Sequence, residues 1–321
     1  MTASDGNEQA GDSNLLNSSS TRSLVAGDLA AVFLPAHGML CASLRHRGLE
    51  ILGRVENLDS VAAQGSTAGI PFLHPWANRL AGLSYSAAGK KVELDAGSPL
   101  LHFDARGLPI HGVPWALLSW EVIDAKQDVL VARLEWGRSE LLALFPFRHR
   151  VEMRASVQAD GLTVETTLIA SAEGPVPISF GFHPYFTLPK LARANWQVEI
   201  PAMRKLLADS RGIPTGAGES YDGYSGLLGE LGFDDGFALL EEQAAFSVAG
   251  AGRKIIVEFL EGYSNAQIYA PRDKDYIALE PMTAPTNALA SGSGLRLLEP
   301  GGRHRAAFRV RVETNSLNQA L

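Results

Sequence analysis

Along most of this chain apolar and polar residues alternate one by one, the period of a strand with one buried face. The clearest case is Ala306-Ala307-Phe308-Arg309-Val310-Arg311-Val312-Glu313. Four further strands are predicted over Leu118–Ile123, Val129–Trp136, Arg148–Val157 and Leu162–Ile169, and Ala159-Asp160-Gly161 reads as the tight turn joining the last two. Nearer the start, Leu24–Leu34, Cys41–Arg47 and Leu49–Leu52 read as short strands interrupted by Pro35-Ala36-His37-Gly38. Phe246–Val248, Lys254–Leu260 and Ala266–Tyr269 continue the pattern toward the end. No stretch carries a helical stripe of ten or more residues. Many short strands at near-regular spacing predict an all-β fold, a large antiparallel β-sandwich formed as a single domain over residues 23–316.

Between the strands lie stretches that break both periods. Gly69–Leu80 holds two prolines among aromatics and reads as an ordered loop carrying His74, Asn78 and Arg79; Phe103–Trp115 is a second such loop, around His111. Pro177–Phe186 runs as an apolar strand into His183, held by Pro184. Leu206–Gly229 is rich in Gly, Ser and Asp, so a long irregular surface excursion is expected there, and Gly232–Leu240 sets Asp234 and Asp235 in front of another strand.

Composition narrows the classes. Of 321 residues, 46% are hydrophobic and 20% charged, enough apolar material for a sizeable core. A net charge of −7 argues against a nucleic-acid partner, which needs a basic face. The single cysteine, Cys41, excludes an internal disulfide framework and a multi-cysteine zinc site, and fits a reducing compartment. Residues 1–22 are polar and Ser/Asn/Gly-rich, without the basic and apolar segments of a signal peptide, so a disordered tail is expected. No apolar run approaches the roughly 18 residues of a membrane span. Cytoplasmic location and no membrane partner are the resulting expectations, and the oligomeric state stays open.

The chemistry is concentrated in Tyr276–Leu289. A strand-length apolar run delivers Glu280 into Pro281 and a Pro/Thr/Asn/Ala loop, with no Lys or Arg after it until Arg296. A carboxylate at the end of a buried strand is costly unless paired or used, so its partners must come from elsewhere in the chain.

Asn78-Arg79-Leu80, Ile110-His111-Gly112, Gly181–Phe186, Asp234–Phe237 and Leu279–Leu289 together, in this order, resemble the aldose 1-epimerase (galactose mutarotase) family, over roughly Leu24 to Glu313. The resemblance implies the galactose mutarotase-like supersandwich, with a concave face that binds a free sugar and exchanges its α and β anomers. Carried over position by position, it implies Glu280 as general base, His183 as general acid, His111 as a second active-site histidine, and Arg79 and Asp234 as ligands of sugar hydroxyls. Asn78 and His74 are the remaining candidate sugar contacts, His74 being weighed equally as a packing residue of its loop. Where the family has Asp-His-x-Phe this chain has Asp234-Asp235-Gly236-Phe237, which leaves open which carboxylate turns inward. Trp76, Trp115, Tyr185 and Phe186 read first as core and second as a sugar platform.

Anomer exchange removes a proton from the anomeric hydroxyl and gives one to the ring oxygen, and a carboxylate and an imidazole suit that pair of tasks. Burial is expected to raise the Glu280 pKa, and a nearby carboxylate to keep His183 protonated. The reaction requires no cofactor, metal or nucleotide. Three alternatives remain open: a sugar-6-phosphate mutarotase using Arg79 and Arg106, a non-catalytic sugar-binding module on the same fold, and a metal site built from His74, His111, His183 and Glu280.

Overall fold

The computed structural model describes Leu15 and residues 21–314. Most of the tail expected over residues 1–22 lies outside the described residues, as do residues 315–316. Leu15, within that tail, donates its backbone N–H to Asp59 at 3.2 Å.

Two large antiparallel sheets dominate the described residues. The first has nine strands, in the order Tyr224–Leu227, Gln197–Ile200, Ala244–Gly250, Arg253–Glu261, Arg303–Thr314, Gly161–Ala170, His149–Gln158, Val129–Trp136 and Glu121–Ala125. Its centre is the set with the cleanest alternation: Val164 and Phe308 pair in register and are buried, while Arg309 and Thr163 beside them are not. The expected turn is present, since Gln158 pairs with Gly161 and leaves Ala159 and Asp160 as its two central residues.

The second sheet has eight strands. Along its path run Pro214–Tyr221, Met203–Ala208, Phe233–Ala238, Asn265–Ala270, Ile277–Met282, Gly181–Phe182 and Phe72–Leu73, with Tyr185–Phe186 also paired to Ile277–Met282. Successive side chains of a strand point to opposite faces. Phe237, Ile268, Leu279 and Phe182 therefore share one face and are buried against the first sheet, where Phe182 meets Phe308 at a ring separation of 5.0 Å. The positions between them, Gly236, Gln267, Glu280 and His183, share the other face. Arg22–Ala26, Leu29–Leu34, Leu40–His46 and Leu49–Glu50 form a four-stranded sheet alongside. Three α-helices occur among the described residues, the longest Leu58–Ala63 and Ser139–Leu144 with six residues each.

One expectation is overturned. Leu206–Gly229 is not an irregular excursion: Met203–Ala208, Pro214–Tyr221 and Tyr224–Leu227 are strands. Pro214–Tyr221 is an edge strand with no buried residue, so its backbone ladder forms without the apolar alternation that would announce it.

Candidate active site

The site is assembled by register. In the second sheet Leu206 pairs with Gly236, Gly236 with Gln267 and Gln267 with Glu280. On the far side of Glu280, Gly181 pairs with Met282 and Tyr185 with Ala278, so the residue that falls opposite Glu280 is His183. Two residues 97 positions apart thus stand side by side on adjacent strands. His183 Nε2 and Glu280 Oε1 are 3.3 Å apart, and the two residues are 6% and 1% exposed.

Their surroundings are aromatic and polar by turns. Tyr185 lies flat on the His183 ring at 4.2 Å and its hydroxyl reaches His183 Nε2 at 3.2 Å, while Thr67 Oγ1 holds that hydroxyl at 2.6 Å. His111 and Tyr269 meet the His183 ring edge-on, at 5.6 and 5.8 Å. Glu280 Oε2 and His183 Nδ1 are buried without a hydrogen-bond partner among the described residues. Such atoms are uncommon in folded proteins and mark places where a ligand or water completes the bonding.

Two loops border the pair: His111 meets the His183 ring, and Asn78 and Arg79 share a cleft with Gln267. Asn78 and His111 both have left-handed backbones, with φ of 58° and 63°. They hold one another: the His111 N–H donates to the Asn78 carbonyl at 2.9 Å, and the Asn78 N–H donates to His111 Nδ1 at 3.2 Å. Because Nδ1 accepts, the neutral ring carries its proton on Nε2. Gly112 follows with φ of 66°, and a Cβ there would run into the His74 carbonyl, so only glycine lets the two loops approach this closely. Arg79 is anchored by Nε to Asp104 at 2.6 Å and by Nη1 to the Asn78 amide oxygen at 3.2 Å. A cleft of about 560 Å³ opens here, lined by Asn78, Arg79, Asp234, Gln267 and Thr286 among others. The Glu280 strand lies one ladder spacing, about 4.8 Å, beyond Gln267.

Both aspartates line this cleft, and their contacts differ. Asp234 accepts a hydrogen bond from Gln267 Nε2 at 2.9 Å, and Gly236 leaves the room, since a Cβ there would lie 3.1 Å from the Gln267 amide oxygen. Asp235 is turned to the Lys205 ammonium at 2.8 Å.

Burial raises the Glu280 carboxyl well above its ordinary value; the Asp234 carboxylate adds to this and the Arg79 guanidinium opposes it. Burial lowers His183 well below the ordinary imidazole value, with the positive influence of His111 and Arg54 in the same direction. This corrects the expectation that a neighbouring carboxylate keeps His183 protonated. Removal from water disfavours both charges, so a neutral imidazole facing a carboxylic acid is the favoured form of the pair. His111 is lowered to about 3, again by burial first.

His74 departs from its reading as a sugar contact. It is 1% exposed, lies flat on Phe72 at 5.2 Å, and its Nε2 is 2.8 Å from His149 Nε2. The four-residue metal set that included it is therefore not assembled, and no group of three or more potential ligands is gathered among the described residues. Sequence reading missed Gln267, Tyr269 and Thr67. Gln267 and Tyr269 carried a signal, two alternate polar positions in the strand that precedes Glu280, but only their pairing partners gave it meaning.

A family profile described as aldose 1-epimerase matches residues 23–311. The chain belongs to the aldose 1-epimerase family. The uncharacterized protein YihR of Escherichia coli K12 is 25% identical over 320 residues, covering 92% of this chain and 94% of that protein. The Slr1438 protein of Synechocystis superposes with a TM-score of 0.74 at 26% identity, over 94% of this chain and 99% of its own. A galactose mutarotase-like protein from Clostridium acetobutylicum gives a TM-score of 0.79 at 19% identity, over 91% and 95%, and shares the fold. The epimerase fold accounts for the layout above, an all-β body carrying its polar face on one sheet. No helix among the described residues is long and apolar enough to cross a membrane.

Proposed function

We propose that this protein interconverts the α and β anomers of a free aldose, with Glu280 and His183 as the proton-exchanging pair. One observation carries the reading: a buried carboxyl and a buried imidazole 3.3 Å apart, their proton affinities moved in opposite directions, with one carboxyl oxygen left without a partner among the described residues. An ordinary carboxyl near 4.5 is raised and an ordinary imidazole near 6.5 is lowered. The pair holds one proton between its two facing atoms, and a reaction running both ways through the same groups requires that it can sit on either.

With the sugar bound, the proton of the neutral pair passes from the Glu280 carboxyl to His183, and in the opening step Glu280, then a carboxylate, takes the proton of the anomeric hydroxyl. His183, as imidazolium, gives its proton to the ring oxygen. The C1–O5 bond breaks with its electron pair passing to O5, and O1 becomes an aldehyde oxygen. Rotation about C1–C2 presents the other face of the carbonyl. Closure returns the proton from O5 to His183 and from Glu280 to O1, so no proton is gained or lost. Arg79, Asp234, Gln267 and the His111 Nε2–H supply donors and acceptors for the ring hydroxyls, and the loop pairing of Asn78 with His111 keeps them in position. Each proton transfer contributes on the order of a hundredfold to ten-thousandfold. Glu280→Gln keeps the shape and removes the acceptor. Exchange followed by polarimetry of a freshly dissolved single anomer should fall by about a thousandfold. A rate within tenfold of the parent would remove Glu280 from the chemistry.

A further inference from the structure

Arg54 is a half-buried cation beside the site that the chemistry above leaves unused. Its segment is stitched to the His183 strand: the Thr187 N–H donates to the Ile51 carbonyl at 3.0 Å and the Gly53 N–H to the Tyr185 carbonyl at 3.0 Å. A Cβ on Gly53 would come within 2.9 Å of the Tyr276 Cβ, so glycine is what lets this segment lie against the aromatic wall. Arg54 itself is half-buried with φ of 58°, and its guanidinium stands 5.3 Å from the Tyr185 ring centre and 5.9 Å from that of Tyr276. Its Nη1 reaches the Tyr276 hydroxyl only at 3.5 Å, and among the described residues no carboxylate pairs with it. Cation–π contact leaves most of the five N–H donors unused. The rings of Tyr185 and Tyr276 flank it, and Tyr269, whose ring lies 6.2 Å from that of Tyr276, is the half-exposed member of the group, on the same sheet face as His183.

We infer that Arg54 receives a carboxylate on the sugar, so that the substrate class is a hexuronate. The inference rests on the proton-pair reading of Glu280 and His183. There O5 takes its proton from His183, and the ring carbon next to O5, opposite C1, carries the C6 substituent. That substituent therefore falls on the His183 side, toward Tyr185, Tyr269 and Arg54, while the remaining hydroxyls face Arg79, Asp234 and Gln267. A single guanidinium fork matches one planar, singly charged carboxylate; a phosphate dianion calls for several converging cations.

The test is anomer exchange by magnetisation-transfer NMR on glucuronate, galacturonate, glucose, galactose and glucose 6-phosphate. A hexuronate should exceed its parent hexose in kcat/KM by about tenfold or more, and Arg54→Gln should erase that ratio mainly through KM, as expected for loss of a charged hydrogen bond. Arg54→Lys, which keeps charge but not the fork, should fall between. Equal turnover of uronate and hexose, preference for the phosphate, or an Arg54→Gln loss shared equally by charged and neutral sugars would overturn the assignment. Exchange of neutral hexose that Glu280→Gln abolishes would uphold the proton-pair reading even then. If no sugar is exchanged at all, saturation-transfer NMR of glucuronate with parent and Arg54→Gln protein decides the inference separately: binding lost in the variant supports it, and absent or unaltered binding ends it.

Discussion

Protonation of the buried pair His74 and His149 should destabilise the fold, and the structure sets both the sign and the size. His149 Nδ1 donates to the Phe147 carbonyl at 2.6 Å, so its Nε2 has no proton and must accept from His74 Nε2–H, 2.8 Å away. One neutral tautomer of each ring satisfies this chain. A proton added to His149 Nε2 would set two N–H groups head to head. Burial accordingly holds His149 down at about 4, against an ordinary 6.5, and pushes His74 well below its ordinary value. Above pH 6.5 the unfolded chain gains no proton at this position and the stabilisation is complete. Between 6.5 and about 4 the unfolded chain binds a proton that the folded protein refuses, so stability falls by about 1.4 kcal/mol per pH unit, about 3 kcal/mol in all for His149. Urea unfolding at intervals from pH 7 to 4.5, on the parent and on His149→Phe, isolates the effect. At pH 7 the variant should be less stable by about 1–3 kcal/mol, because the Phe147 carbonyl and the His74 N–H lose their partners. Its stability should then decline less steeply with acid, the two curves converging by about 1.4 kcal/mol per pH unit. Parallel curves across this window would refute the reasoning.

Asp234→Asn and Asp235→Asn should behave differently although the residues are adjacent. The first breaks a charged acceptor from Gln267 and should raise KM about tenfold or more, whereas the second removes a partner of Lys205 and should leave KM within about twofold, measured by initial-rate polarimetry. Gly112→Ala forces a side chain into a left-handed backbone and onto the His74 carbonyl; it should cost at least about 2 kcal/mol in urea unfolding and lower kcat/KM by displacing His111. Full stability with full activity would show that the loops do not need this approach.

What the residues determined alone is local: where strands run and where they stop. One-by-one alternation located Arg303–Thr314 and its neighbours, because a half-buried strand can satisfy water on one face and the core on the other only at that period. Proline and apolar flanks singled out Glu280 in the same way, and the motif order carried the family. Tertiary structure decided everything that depends on register. It brought His183 across from Glu280, set Asp234 against Gln267 and Asp235 against Lys205, and turned His74 to His149. It also made strands of Pro214–Tyr221 and Tyr224–Leu227, where backbone pairing works without buried side chains. The physical reason is common to all of these. Backbone hydrogen bonding is a nearest-neighbour property and leaves its period in the sequence, whereas the cost of burying a charge depends on which distant strand lies alongside it.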